Sequence, residues 1–308
     1  MKKRKMYRIS QALILVSISL IIFGCSKDRI ENPELNSYNS PNEYLDSKKQ
    51  EEQEYIIDTN GTCPLIAKQG TNLCIAKNCL QLQGGDSVYF PYTLKIVELY
   101  TAKDLIYYQM ASMSNGSILE TEGTIRVRTF KDDKELALRN GCSYYVKMPS
   151  NAPKNYMRSF YGFDSSSLID YTDDPSTLGV STPYTPVFSD TAQGHSNNIV
   201  KFGWLNCGKM HISSSTYQLT FTSTVDDLTN VAIFIYLPAT KTIMQVRNLV
   251  SDSIPDGAEA NIIAIAVKSG INDLYYFNST ITVNASQSID VTMESTTDAD
   301  LTKVLDNL

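Results

Sequence analysis

Histidine is scarce in this chain of 308 residues: His195 and His211 are the only two, and Trp204 is the only tryptophan. Hydrolytic catalysis needs a nucleophile, a base and an orienting acid within hydrogen-bond reach. His195 sits in a polar Gln-Gly-His-Ser stretch and His211 opens a strand-like run, so both read as solvated or packing side chains. No Gly-x-Ser-x-Gly elbow, Walker motif or dinucleotide fingerprint occurs. These absences predict a protein that is not an enzyme and uses no cofactor. Positive charge is also short, with 27 basic against 33 acidic residues and a net charge of −6. Five of those basic residues lie within the first eight positions, and residues 1–24 hold no acid, so the remainder carries −11. Such a surface repels phosphate backbones and excludes nucleic acid as a partner. Hydrophobic residues make up 42% of the chain, enough for a core, which excludes global disorder.

Long apolar runs are limited to one. Ala12 to Phe23, ALILVSISLIIF, is uncharged but too short for a comfortable bilayer span, which takes about twenty residues. After the basic Lys2, Lys3, Arg4, Lys5 and Arg8 it fits the apolar part of a secretory signal. The run ends in Ile22-Phe23-Gly24-Cys25, which resembles a bacterial lipobox. That resemblance implies cleavage between Gly24 and Cys25, with a diacylglyceryl group on Cys25 and an acyl chain such as palmitate on the new terminus. Several chains anchor stably where one binds reversibly. Residues 1–24 are therefore expected to be a lipoprotein signal peptide, and 25–55, rich in charge, Asn, Ser and Pro, a disordered tether.

With Cys25 lipidated, Cys63, Cys74, Cys79, Cys142 and Cys207 remain, an odd number in a chain bound for an oxidising compartment. The Cys-x10-Cys-x4-Cys spacing matches no compact zinc pattern, so no metal is expected and a local disulfide is favoured. A hairpin around Lys68-Gln69-Gly70 would place Cys63 opposite Ala76, and Cys63–Cys79 is the pairing expected from it. Cys207 follows Phe202-Gly203-Trp204-Leu205 and reads as a buried free thiol. Trp204 is expected beside it, packed at the base of a second β layer pair. The acid pairs Asp132-Asp133, Asp173-Asp174 and Asp226-Asp227 lack the spacing of an EF-hand and read as surface turns.

From residue 64 on, the pattern is that of strands. Thr124–Phe130 alternates, with Ile125 and Val127 on one side and Arg126 and Arg128 on the other, and Lys131-Asp132-Asp133-Lys134 turns the chain. Tyr144, Val146 and Met148 resume the alternation. Val231–Leu237, Ile262–Lys268 and Leu274–Val283 follow, with turn chemistry between the later strands. Leu301, Val304, Leu305 and Leu308 form a helical stripe that Thr296 or Thr297 can cap. The fold class predicted is all-β: two β-sandwich domains of Ig-like or Greek-key type after the signal and tether, with a short C-terminal helix. The first is expected over 56–150 and the second over 201–308. Between them, 151–200 reads as an ordered, aromatic-rich excursion that acts as a linker. Nineteen tyrosines suit strands, and also sugar or protein contacts. Tyr156, Tyr161, Tyr171 and Tyr184 form the candidate aromatic binding platform.

The stretch from Leu94 to Leu138 resembles a recurrent domain of Bacteroidota surface lipoproteins for which no activity is established. The likeness rests on Glu98 to Tyr100, the Met-Ser-Asn-Gly turn at Met113–Gly116, and the strand Gly123–Phe130 entered through glycine. Phe202-Gly203-Trp204-Leu205-Asn206-Cys207 is similar to the Gly-Trp-Ile-Asn-Cys segment of those proteins. It continues Gly208-Lys209-Met210 where they carry Asp-Arg-Phe. Ser26-Lys27-Asp28 resembles their surface-export signals, and the triplets at Asp86-Ser87, Asp190-Thr191 and Asp252-Ser253 resemble their O-glycosylation acceptors, with Ser87, Thr191 and Ser253 as acceptor residues. The resemblance implies an outer-membrane, lipid-anchored protein facing the cell surface, whose partners are the membrane and an envelope protein or glycan. The expectation is a non-enzymatic interaction or scaffold module; the alternative is a carbohydrate-binding lipoprotein of a glycan-uptake system.

Overall fold

Apolar residues that recur every second position build most of this chain into antiparallel sheets. The computed structural model describes residues 38–59, 63–165, 168–179, 185–268 and 273–308, and these are predominantly β. The expected signal peptide, Cys25 and the rest of the expected tether as far as residue 37, and Tyr184 lie outside the described residues.

The first layer pair uses β1 (Gln53–Ile57), β2 (Leu65–Ile66), β3 (Asn72–Cys74), β4 (Tyr92–Leu99), β5 (Ser117–Lys131) and β6 (Tyr144–Pro149). It continues with β7 (Arg158–Ser165), β8 (Leu168–Thr172), β9 (Ser189–Thr191), β10 (Gly194–Ile199) and β11 (Gly203–Met210). One sheet runs β1-β4-β5-β11-β7-β8 and the other β9-β10-β6-β3-β2. Their facing sides meet in a core that holds Ile96, Ile125, Val127, Val146, Met148, Leu205 and Cys207. The expected alternation of β5 is observed. Ile125 and Val127 are fully buried, while Arg126 and Arg128 point the other way and pair with Glu52. Asp132 and Asp133 turn the strand back with left-handed φ values of 48° and 61°.

The second layer pair uses β12 (Leu219–Thr222), β13 (Val231–Leu237), β14 (Thr242–Gln245), β15 (Ala258–Val267), β16 (Leu274–Val283), β17 (Gln287–Asp290) and β18 (Glu294–Thr296). The sheet order is β14-β13-β15-β16-β18, and the parallel pair β12–β17 supplies Leu219 and Phe221 to the core on one face. β13 reads VAIFIYL, without alternation, because both of its faces are covered. Ile233, Ile235 and Leu237 enter that core, while Ala232, Phe234 and Tyr236 enter another.

That other core is helical. It collects α1 (Pro41–Ser47), α2 (Ala102–Tyr107) and α3 (Asp298–Asp306) between Val97, Leu99, Leu119, Phe160 and Tyr171 on one side and the second sheet on the other. Ser40 caps α1 by accepting from Glu43 N, and Pro41 occupies its first turn. Thr101 and Thr297 cap α2 and α3 in the same manner. Leu301 and Leu305 are buried, as the C-terminal stripe predicts.

Several expectations are corrected. The described part of the tether is ordered: Tyr44 and Leu45 of α1 are fully buried, each worth about 2–3 kcal/mol of apolar burial, and β1 pairs with β4. The boundary at residue 200 is also displaced. β11 (Gly203–Met210) pairs with β5 and β7, so the first layer pair extends to residue 210. Residues 151–200 are not a linker, since β7, β8, β9 and β10 belong to its two sheets. Described residues from 38 to 308 fall within one compact body, not two separate sandwiches. Trp204 lies on the opposite face of β11 from Leu205 and Cys207 and packs on the helical core, with the Arg126 guanidinium over its ring at 4.9 Å.

The disulfide expectation is corrected too. Cys63 bonds Cys74 and Cys79 bonds Cys142. In the β2–β3 hairpin Leu65 faces Leu73, one residue away from the register expected, which brings Cys63 beside Cys74. Cys79 then leads into Leu80, which pairs with Leu138 and delivers Cys142. Cys207 is a buried free thiol, as its sequence context indicates.

Candidate functional site

The polar chemistry concentrates at one end of the first layer pair. Between β5 and β11, Cys207 faces Gly123 while Gly208 faces Thr121, so Glu122 is an extra residue in its strand. Such a bulge re-aims a side chain. Glu122 is buried, and its Oε2 lies 3.9 Å from Nε2 of His195, on β10 of the facing sheet. His195 is fully buried, and its Nδ1 lies 2.9 Å from Asp190 Oδ1. Phe188 stands edge-on to the imidazole.

Two further groups hold Glu122. Ser150 Oγ donates to its Oε2 at 2.5 Å, and Lys241 Nζ approaches its Oε1 at 3.4 Å. Burial works against the carboxylate, but the His195 ring, the Ser150 hydroxyl and the Lys241 ammonium outweigh it and hold its pKa down to about 2. Lys241 belongs to the turn between β13 and β14, which is tied to β5 because Thr121 N donates to Thr240 O at 2.9 Å and Thr242 Oγ1 to Leu119 O at 2.7 Å.

Behind these groups, burial pushes the Cys207 thiol well up, and the nearby Glu122 and Asp190 charges add to the effect. A thiol of that kind stays protonated and unreactive. Tyr100 donates or accepts at Thr71 Oγ1 over 2.6 Å, and burial raises its hydroxyl well above the usual range. Glu98, fully buried, is a structural carboxylate. It accepts from Gln53 Nε2 at 2.8 Å, Gln69 N at 2.7 Å and Thr71 N at 3.0 Å, and so fixes the turn that presents Gln69.

A cleft of about 450 Å³ opens here, lined by Gln69, Tyr100, Glu122, Ser150, Asn151 and Lys241 among others. A smaller one of about 270 Å³ shares Tyr100, Glu122 and Lys241 and reaches Lys103 and Leu305. Two glycines permit the arrangement. A Cβ on Gly123, at φ +137°, would stand 2.3 Å from the Tyr100 ring, and one on Gly194, at φ +135°, 2.0 Å from the Met148 carbonyl oxygen. The Ser150 hydroxyl is directed at a carboxylate, not at an imidazole, so the hydrogen-bond chain differs from that of a hydrolase triad. What it offers is a fixed negative charge on the floor of a polar cleft.

The residues singled out in the sequence are spread over the molecule. Tyr156 is exposed, but Tyr161 and Tyr171 are fully buried in two different cores, so these tyrosines form no platform. Both rings are consumed by packing because the segment that carries them consists of sheet strands. Ser87, Thr191 and Ser253 are all exposed. Of the acid pairs, Asp174 serves a turn by accepting from Ser176 N and Thr177 N and Asp227 by accepting from Thr229 N, whereas Asp226 accepts from the distant Met293 N. His195 is not in a solvated loop but in a strand within the body. Glu122, Ser150 and Asp190 as its neighbours were not expected. Gly123 and Gly194, each beside one of the paired residues, are the signal in the sequence that marks them. No protein-family model, no curated protein and no solved structure matches this chain.

Proposed function

We propose that this is a non-enzymatic, lipid-anchored envelope protein of Bacteroidota type, displayed at the cell surface as an interaction or scaffold module. The observation that supports the reading best is the combination of the Gly24-Cys25 lipobox with two disulfides in the folded part. Disulfides form and persist in oxidising compartments, which is where a lipidated chain would be delivered. The folded part is mostly antiparallel sheet, joined through a helical core. Such β bodies commonly present partners with loops. Replacing Cys25 by Ala should abolish palmitate incorporation and release the protein from the membrane fraction. Continued labelling of that variant would sink the proposal.

The carbohydrate reading moves away from the tyrosines. A groove of about 770 Å³ lined by Arg139, Asn140, Asn198, Lys201 and Phe202 among others offers amides and an aromatic edge for a glycan. Loss of glycan-array signal on changing Asn198 and Phe202 to Ala would support it. An array without signal from the wild-type protein would reject it.

A further inference from the structure

The strongest unassigned feature is the cleft above Glu122. Only two of its lining side chains are charged, Glu122 and Lys241. Glu122 is buried at its base, whereas half of the Lys241 side chain is in solvent. Lys241 also has a left-handed φ of 52° at the end of its turn, and its 3.4 Å contact is long for a charge-assisted hydrogen bond. The buried carboxylate is therefore underused on its Oε1 side. Behind it, His195 Nε2 is fully enclosed, 3.9 Å from Oε2, and has no hydrogen-bond partner. The Tyr100 ring, pinned by Thr71 and seated on Gly123, supplies an aromatic wall.

We propose that this cleft binds a ligand bearing an alkylammonium group, with Lys241 as an internal stand-in that the ligand displaces. The incoming ammonium donates to Glu122 Oε1 in place of Lys241 Nζ, with the Tyr100 ring alongside for a cation–π contact. Gln69 and Asn151 line the rim and offer amide groups to the rest of the ligand. The net charge of −11 beyond residue 24 favours approach of a cation. No bond is made or broken, and the inference does not depend on the lipid anchor.

Calorimetric titration of the full chain in detergent with n-propylammonium chloride tests this, with sodium chloride as the control for ionic strength. Lys241→Ala removes the competing ammonium from a half-exposed position and keeps Glu122, Ser150 and His195 in the chain. It should bind the amine about tenfold more tightly than wild type, because the site is no longer self-occupied. Glu122→Gln should lose the binding, and a parallel melting curve will show whether that variant is folded. Titration with Nα-acetyl-lysine methylamide separates sources: tighter binding than propylammonium assigns a peptide lysine, equal binding a small free amine. No heat from Lys241→Ala up to about 50 mM amine, the weak limit of a specific site, overturns the proposal. So does acetate binding by wild type that Lys241→Ala abolishes, since that would make the cleft an anion site.

Discussion

The Tyr44 hydroxyl donates to Asp298 Oδ1 at 2.8 Å and so joins α1 to the start of α3 across 254 positions of sequence. Lys48 reaches the same oxygen at 2.6 Å. Burial, and then Asp298 itself, pushes the Tyr44 hydroxyl above the usual phenol range. Removing the ring and removing the hydroxyl should have different costs. Tyr44→Phe should lose about 1 kcal/mol, the net worth of one hydrogen bond. Tyr44→Ala should lose about 3–5 kcal/mol, as for other buried aromatics. Denaturant unfolding of both variants measures the difference, and equal losses would mean that the ring is not packed as described.

Glu122 predicts an acid-side dependence. Its carboxyl is held at about 2 against an ordinary 4.5. The folded state thus binds the proton less readily than the unfolded state, and the stabilisation is complete above about pH 4.5. It is lost as pH falls toward 2. At about 1.4 kcal/mol per tenfold in proton affinity the contribution is of order 3 kcal/mol. Glu122→Gln should flatten the stability profile between pH 5 and pH 2, relative to wild type, in urea titrations at each pH. An unchanged slope would remove Glu122 as its source.

The two disulfides close chain segments of unlike length, with separations of 11 and 63 residues. On chain-entropy grounds, Cys63→Ser with Cys74→Ser should cost about 3 kcal/mol and Cys79→Ser with Cys142→Ser about 4 kcal/mol. Digestion without reductant, followed by mass spectrometry, should recover these two cross-links and a free Cys207. A Cys63–Cys79 peptide would contradict the register of the β2–β3 hairpin.

Gly123 and Gly203 provide a matched pair of substitutions. Both have left-handed φ, 137° and 109°, but a Cβ on Gly203 has nothing within 4 Å while one on Gly123 meets the Tyr100 ring. Gly203→Ala should therefore cost about 1–2 kcal/mol for the backbone alone. Gly123→Ala should cost about 2–3 kcal/mol more from overpacking. Thermal melts of the two proteins compare them, and equal midpoints would show that Tyr100 can yield.

Much of the β body is legible residue by residue. Ile125 and Val127 announce a half-buried strand, Asp132-Asp133 its turn, and Leu301 and Leu305 a docking helix, since each depends on local spacing. α1 is harder to read because only Tyr44 and Leu45 of its seven residues are deeply apolar in a charged setting. Ser40-Pro41-Asn42-Glu43 is nevertheless a helix-start signal. The place of β11 is not legible. Gly203–Met210 looks alike whether it joins a sheet before it or after it, and only tertiary pairing decides. The same holds for Glu122, whose orientation comes from a bulge defined by its partner strand.

The helical core is built from both ends of the folded chain: α1 near its beginning, α3 at its end, and faces of both sheet systems between. A cut after residue 210 would leave α1 and α2 with the first layer pair and α3 with the second, so each half would expose an apolar face that the other now covers. The two β layers are for that reason not interchangeable cassettes. A gene fusion or recombination event that carried only one of them would carry only part of the core that both build.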